Sequence, residues 1–259
     1  MKRKERLLRR LDEIGLSLER TQGALLLLGL GSVGNELDRL DEFSDLDFFV
    51  IVKPGYKTRF IELLDWISAS HPIDYAFKNS RDGYKILFSD GIYGEFAVFE
   101  EQELENISYS EGRIVWKKSS FDDSKIPSSQ VQKRNVNEVS LDFSINEALT
   151  NLYVGLCRYA RGEKLSALRF IEGHAINSIL KVLYLLEKEV DYFPDAFANE
   201  RRLENRFPRF AVKLEHMLQG YNRVPESANV ILEYIESVHP INKQMCNEVR
   251  RLIKLCLHM

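Results

Sequence analysis

No apolar run in this sequence approaches the roughly 20 residues that a membrane-spanning helix requires, and residues 24–30 (ALLLLGL), one of the longer runs, stop after seven. Cysteine is scarce: Cys157, Cys246 and Cys256 lie far apart, with no CxxC and no Cys/His cluster. A disulfide framework and a zinc site are therefore not expected, and a reducing, cytoplasmic setting is. An excess of positive charge is also missing, since 36 Lys and Arg face 39 Asp and Glu for a net charge of −3. Nothing in that balance recruits nucleic acid or an anionic membrane. Internal repeats and low-complexity tracts are absent. The basic segment MKRKERLLRRLDEIG lacks the unbroken apolar core of a signal peptide, and Leu7, Leu8, Leu11 and Ile14 fall instead at helical spacing. The segment is expected to be an amphipathic helix on the body of the protein. What is present is enough apolar material, 44% of 259 residues, for one large or two ordinary domains.

The most informative stretch is Gly31-Ser32-Val33-Gly34 followed, after a polar spacer, by Ser44-Asp45-Leu46-Asp47 and the apolar run Phe48 to Val52. Short apolar runs of this kind read as buried strands, so a Gly-Ser turn leaves one strand and an Asp-x-Asp pair opens the next. Asp45 and Asp47, two apart on extended backbone, point to the same side. Such a pair can hold Mg²⁺, a hard cation that takes a few carboxylates together with phosphate oxygens. The turn N–H groups and the Ser32 hydroxyl can receive a triphosphate.

This pattern resembles the signature of the nucleotidyltransferase superfamily, and the longer match GSVGNELDRLDEFSDLDF resembles the aminoglycoside and lincosamide nucleotidyltransferases. The resemblance implies that Gly31 and Ser32 hold the phosphates of an NTP, ATP foremost, and that Asp45 and Asp47 are Mg²⁺ ligands. It also calls for a third carboxylate from a later strand, which Glu95 in Gly94-Glu95-Phe96-Ala97-Val98-Phe99 offers. In the family that residue binds metal, acts as general base, or does both. The chain departs from its relatives in having a long acidic spacer, with Glu36, Asp38, Asp41 and Glu42, and no Arg directly after the Gly-Ser pair.

Along the rest of the chain, a helix is expected over 57–69 from Phe60, Leu63, Leu64 and Ile67, then strands at 73–78, 84–88, 92–99 and 113–117. Asp90-Gly91 signals a hairpin that returns Glu95 to the sheet holding Asp47. The polar stretch 118–138 marks a boundary, giving a domain over 1–135 that binds NTP·Mg²⁺ and a helical domain over 136–259 that binds the acceptor. Helices are expected at 143–160 (Phe143, Leu149, Leu152, Tyr153, Leu156 and Tyr159 on one stripe), 164–188, 198–219, 226–237 and 241–257, with Pro208 breaking or kinking the helix over 198–219. The fold class is α+β: a mixed sheet domain followed by an all-α bundle.

Secondary candidates in the helical half are Arg161, Glu163 and Lys164 at a turn, and Glu147 as a further base. Arg169 and His174 have the R-x4-H spacing of HEPN-type ribonucleases, but five residues apart they share a helix face poorly. The expected activity is Mg²⁺-dependent transfer of a nucleotidyl group, in all expectation adenylyl, to the hydroxyl of a small acceptor of the aminoglycoside or lincosamide kind. Two rivals are a non-catalytic or antitoxin-type relative and an enzyme that nucleotidylates a protein or an RNA end. Three converging, unpaired carboxylates argue for the enzyme. A homodimer is compatible with all of these readings.

Overall fold

The computed structural model describes residues 2–107, 112–126, 140–193, 195 and 198–259. The chain divides into two compact units, Met1–Val131 and Gln132–Met259. The boundary expected at 135/136 lies outside the described residues, as does most of the polar stretch around it. Each unit has its own apolar core.

The first unit is built on a six-stranded sheet of order β3-β4-β5-β2-β1-β6. Its strands are β1 (Ala24–Leu30), β2 (Leu46–Val52), β3 (Ile73–Lys78), β4 (Gly83–Phe88), β5 (Tyr93–Glu100) and β6 (Gly112–Lys117). Every pairing is antiparallel except β2 with β5, which is parallel. The alternation of burial follows from the pleat. On one face Leu46, Phe48, Val50, Ile86, Phe96 and Val98 join the core. Against that face lie α1 (Arg3–Glu19), α2 (Lys57–Glu62) and α3 (Asp65–Ser68). The amphipathic reading of α1 holds: Leu7, Leu11, Ile14 and Leu18 are all buried. The opposite face carries Asp47, Glu95 and Lys85, and further along β2 and β5 a smaller cluster of Ile51, Leu104 and Phe121 with Phe49 and Phe99 packed on it.

The helix expected over 57–69 is broken at Leu63, which is extended (φ −119°, ψ 110°) and exposed. The break releases the Phe60 carbonyl from the helical ladder, and the buried Trp66 indole donates to it at 3.0 Å. Arg59 then clamps Asp65 through both carboxylate oxygens, at 2.8 and 2.7 Å. Helical spacing alone could not show this, because the indole's need for an acceptor competes with the ladder.

The second unit is all helical among its described residues: α4 (Leu141–Ala160), α5 (Lys164–Leu168), a π-helical segment (Arg169–Ala175), α6 (Ile176–Leu186), α7 (Leu203–Arg206), α8 (Pro208–Met217), α9 (Val224–Val238) and α10 (Lys243–Leu257). Ser140 caps α4 by accepting from the Phe143 N–H. The buried stripe runs through Ile145, Ala148, Leu149, Leu152, Leu156 and Tyr159, and Phe143, expected on it, is exposed. Gly162 (φ 84°) turns the chain after α4, as a glycine past a helix end does. The helix expected over 164–188 contains the π segment, whose Ile171 presses on α4 so closely that a Cβ on Gly155 would sit 2.6 Å from Ile171 Cγ1. The helix expected over 198–219 is interrupted, with Pro208 at the first turn of α8. Among the described residues no helix is long and apolar enough to cross a membrane.

Candidate active site

Strand register assembles the site. In the antiparallel pair, Gly29 lies opposite Phe48, so the chain leaving β1 at Gly31 emerges at the same end of the sheet where Asp45 and Asp47 enter β2. In the parallel pair, Asp47 is the register partner of Glu95. The Gly-Ser turn, the Asp-x-Asp pair and Glu95 therefore meet at one end of the sheet, Asp47 and Glu95 on the face that α1 to α3 do not cover.

The turn itself is a short 3-10 element, Gly31–Val33, with Gly31 in the left-handed region (φ 52°). The Gly31 carbonyl accepts from the Gly34 and Glu36 N–H groups at 3.1 and 3.2 Å. Gly34 is needed for a different reason: a Cβ there would lie 2.5 Å from the Gly29 carbonyl oxygen and 2.8 Å from the Leu30 carbonyl carbon. The motif's second glycine lets the chain fold back against the end of β1.

The acidic spacer turns largely on itself. Glu36 pairs with Arg39, whose guanidinium Nη2 lies 3.9 Å from where a Cβ on Gly31 would be. Asp41 accepts from the Phe43 N–H at 2.8 Å and the Ser44 hydroxyl at 3.0 Å, bonds that lower its pKa against a smaller burial cost. Two of the four spacer acids are thus engaged. The same loop holds Phe43, 94% exposed and two residues before Asp45. Arg113, at the start of β6, reaches the other side of the turn and donates to the Val33 carbonyl at 3.2 Å. Arg39, within the spacer, and Arg113, from β6, bring positive charge to a turn that has no Arg directly after the Gly-Ser pair, and the distance of Arg113 along the chain hid it from motif reading.

Asp45 and Asp47 are both exposed at the mouth of β2. Glu95 is half-buried and is not unpaired, contrary to expectation. Its Oε1 accepts from Tyr93 Oη at 2.8 Å and lies 2.9 Å from Lys85 Nζ. Lys85 is the cross-strand register partner of Glu95 on β4, on the side away from Asp47. The hydrogen bond to Glu95 and then its charge raise the Lys85 pKa. Burial, then Glu95, push the Tyr93 pKa upward, and Lys85 opposes the rise. Neither Lys85 nor Tyr93 was legible as a site residue, because their relation to Glu95 is set by strand pairing and by side-chain reach along one face.

The donors suit a small hard cation: carboxylate oxygens on one end of one sheet, beside backbone N–H groups and a hydroxyl. Asp45 and Asp47 fit that role as placed. Glu95 as third ligand would have only Oε2 to offer while Oε1 stays on Lys85 and Tyr93, and among the described residues no three His, Cys, Asp or Glu side chains are grouped to hold a metal ion.

Glu147 is exposed on α4. Glu163 pairs with Arg158 at 3.1 Å, and Lys164 lies over the Tyr159 ring at 5.2 Å. Arg161 is exposed at the turn. Arg169 and His174 are both exposed in the π segment, where the His174 ring meets Phe170 edge-on at 5.3 Å.

No protein-family model matches the sequence, and no curated protein matches it. Among solved structures, a nucleotidyltransferase-like protein from Exiguobacterium sibiricum is 16% identical over 91% of this chain and 82% of its own, with a TM-score of 0.24. The chain is also similar to an aminoglycoside 6-adenyltransferase from Bacillus subtilis, at 14% identity over 100% of both chains and a TM-score of 0.40.

Proposed function

We propose that this protein transfers a nucleotidyl group from an NTP to a hydroxyl of a small acceptor. One observation carries the reading: register sets Glu95 beside Asp47 on parallel strands at the end of the sheet where the Gly31-Ser32 turn emerges. Carboxylates, a glycine turn and a hydroxyl without a nucleophile suit phosphoryl chemistry, where positioning and charge neutralisation lower the barrier. Gly31 N–H and Ser32 Oγ would receive the phosphates of the NTP, and Asp45 and Asp47 would hold Mg²⁺. When bound, Mg²⁺ would supply charge neutralisation on the phosphate oxygens. Glu95, or a water it orients, takes the proton of the acceptor hydroxyl. That oxygen forms the new bond to the α-phosphorus, and the electrons of the broken bond leave with pyrophosphate.

The acceptor we infer is a small hydroxyl-bearing compound of the aminoglycoside or lincosamide class, and ATP is the inferred donor. The sequence pattern supports this; the spacer supports it less than expected, since Glu36 and Asp41 are held by Arg39 and by their own loop. A panel of NTPs with pooled acceptors, assayed for Mg²⁺-dependent pyrophosphate release, tests the reading. Release that requires both an acceptor and Asp47 supports it. NTP binding with no release in any combination would establish the non-catalytic alternative, and release only with RNA or protein would redirect the acceptor class. Thermal-shift titration with such antibiotics in the presence of a nonhydrolysable NTP tests the antibiotic class directly, since a true acceptor raises the transition by linkage.

A further inference from the structure

A row of side chains crosses four strands in strict register on the uncovered face of the sheet: Asp47 on β2, Glu95 on β5, Lys85 on β4 and Phe77 on β3. Adjacent strands are about 4.8 Å apart, so Glu95 has the anion Asp47 on one flank and the cation Lys85 on the other. Both described partners of Glu95 engage the same oxygen, Oε1. Lys85 comes from the strand beyond, and Tyr93 from the same strand two residues earlier, where the pleat keeps it on the same face.

We propose that Lys85, seconded by Tyr93, is a positioning residue that keeps Glu95 out of the metal site and on the acceptor side, so that the cation is held by Asp45 and Asp47 alone. This inference rests on the nucleotidyl-transfer reading for the identity of the metal site, and decides between the two roles that a third carboxylate can take. The physical basis is a competition for one carboxylate. Turning the carboxylate so that Oε1 joins a cation at Asp47 requires breaking a charge-assisted hydrogen bond to Lys85 and a second bond to Tyr93, each stronger than a neutral one, and while those bonds hold they restrain the swing of the whole group toward Asp47. With Oε1 so held, Oε2 is the oxygen left to meet an acceptor hydroxyl. Removing the ammonium leaves Glu95 free to turn toward the cation as an extra ligand. Lys85 thus weakens cation binding while preserving a base.

The test uses the full chain and Mn²⁺ alone, with free Mn²⁺ counted by electron paramagnetic resonance. Glu95→Gln is expected to bind Mn²⁺ within about twofold of the unaltered protein. Lys85→Met is expected to bind it roughly tenfold more tightly, the size of effect typical of residues that orient ligands. The double variant Lys85→Met/Glu95→Gln loses that gain, a coupling that a merely structural role of Lys85 would not produce. Lys85→Arg restores the original affinity. Tyr93→Phe shows a smaller gain and serves if Lys85→Met does not fold. In turnover, Lys85→Met lowers kcat and leaves the KM for NTP in place. Unchanged Mn²⁺ affinity in both Lys85→Met and Tyr93→Phe, or a loss of tenfold or more in Glu95→Gln, overturns the inference. If Asp47→Ala does not weaken Mn²⁺ binding, the metal assignment fails and takes the inference with it; Asp47-dependent binding with no Lys85 effect sinks the inference alone.

Discussion

Glu95 lies directly across the parallel β2–β5 pair from Asp47, yet its carboxylate is drawn the other way, 2.9 Å from Lys85 Nζ. That asymmetry separates a pair of aspartates at the mouth of β2 from a glutamate restrained one strand away, and it governs what each substitution should do.

Asp47→Ala should abolish nucleotidyl transfer, by at least about 10²-fold, because a metal ligand at the reacting phosphate has no substitute. The side chain is exposed at the strand end, so the first unit should still fold cooperatively. Pyrophosphate release and a melting curve measured on one sample check both halves. Activity within tenfold of the original would remove Asp47 from the metal site.

Gly34→Ala should destabilise the first unit by roughly 1–3 kcal/mol, since its Cβ would press to 2.5 Å from a backbone oxygen that cannot swing aside. Chemical denaturation followed by Trp66 fluorescence reads this. Equal midpoints for the two proteins would show that the fold-back at the end of β1 relaxes more easily than the packing indicates.

Asp90 should make stability pH-dependent at the acid end. Burial would raise its pKa, but hydrogen bonds from Arg6 and Arg10 hold it down at about 2, against an ordinary 3.8. A depressed pKa means the ionised form is favoured by folding. The contribution is present above pH 3.8 and is lost as pH falls toward 2, on the order of 2 kcal/mol. Asp90→Asn should remove it at neutral pH and flatten the stability profile between those limits. The pair fastens α1 to the turn before β5, with Arg10 buried over the Phe88 ring at 4.5 Å. A variant whose acid profile parallels that of the parent would rule out this role.

In the second unit, Ser227 is fully buried and its hydroxyl donates to Glu172 Oε1 at 2.8 Å, an oxygen that also accepts from the Gly220 N–H at 2.9 Å. Ser227→Ala leaves the carboxylate one donor short and should cost about 1–2 kcal/mol. Calorimetry of the two proteins decides it, and a loss below about 0.3 kcal/mol would mean that water replaces the hydroxyl.

Much of this was legible in the chain. The apolar runs of β1 and β2 announced strands because their periodicity and length leave few alternatives, and Asp90-Gly91 announced the turn that returns Glu95 to the sheet; Gly91 does take a positive φ, 80°. Leu63 and Phe143 were misread because helical spacing records which residues share a stripe and not where a buried indole or a capping serine resets the phase. Lys85 and Tyr93 were invisible for a deeper reason. Their meeting with Glu95 depends on which strands pair and in what register, and a sequence read locally holds no record of either. Arg113 approaches the glycine turn from β6, so no contiguous motif could contain it; Arg39 stands inside the 31–48 stretch, but its pairing with Glu36 and its approach to Gly31 depend on how the spacer folds back.

The Gly29–Phe48 and Asp47–Glu95 pairings have a consequence for how such a protein tolerates change. Distances within the site are measured across strands, whereas the 31–45 spacer is measured along the chain, and the two rulers are independent. Residues added to or removed from the spacer leave the carboxylates where they are. A single residue inserted inside β2 would rotate Asp47 into the space of Phe48 and turn every following side chain over. Length variation should therefore accumulate between the two halves of the motif and be purged within them, which makes the spacer the natural place to graft new binding segments without disturbing the chemistry.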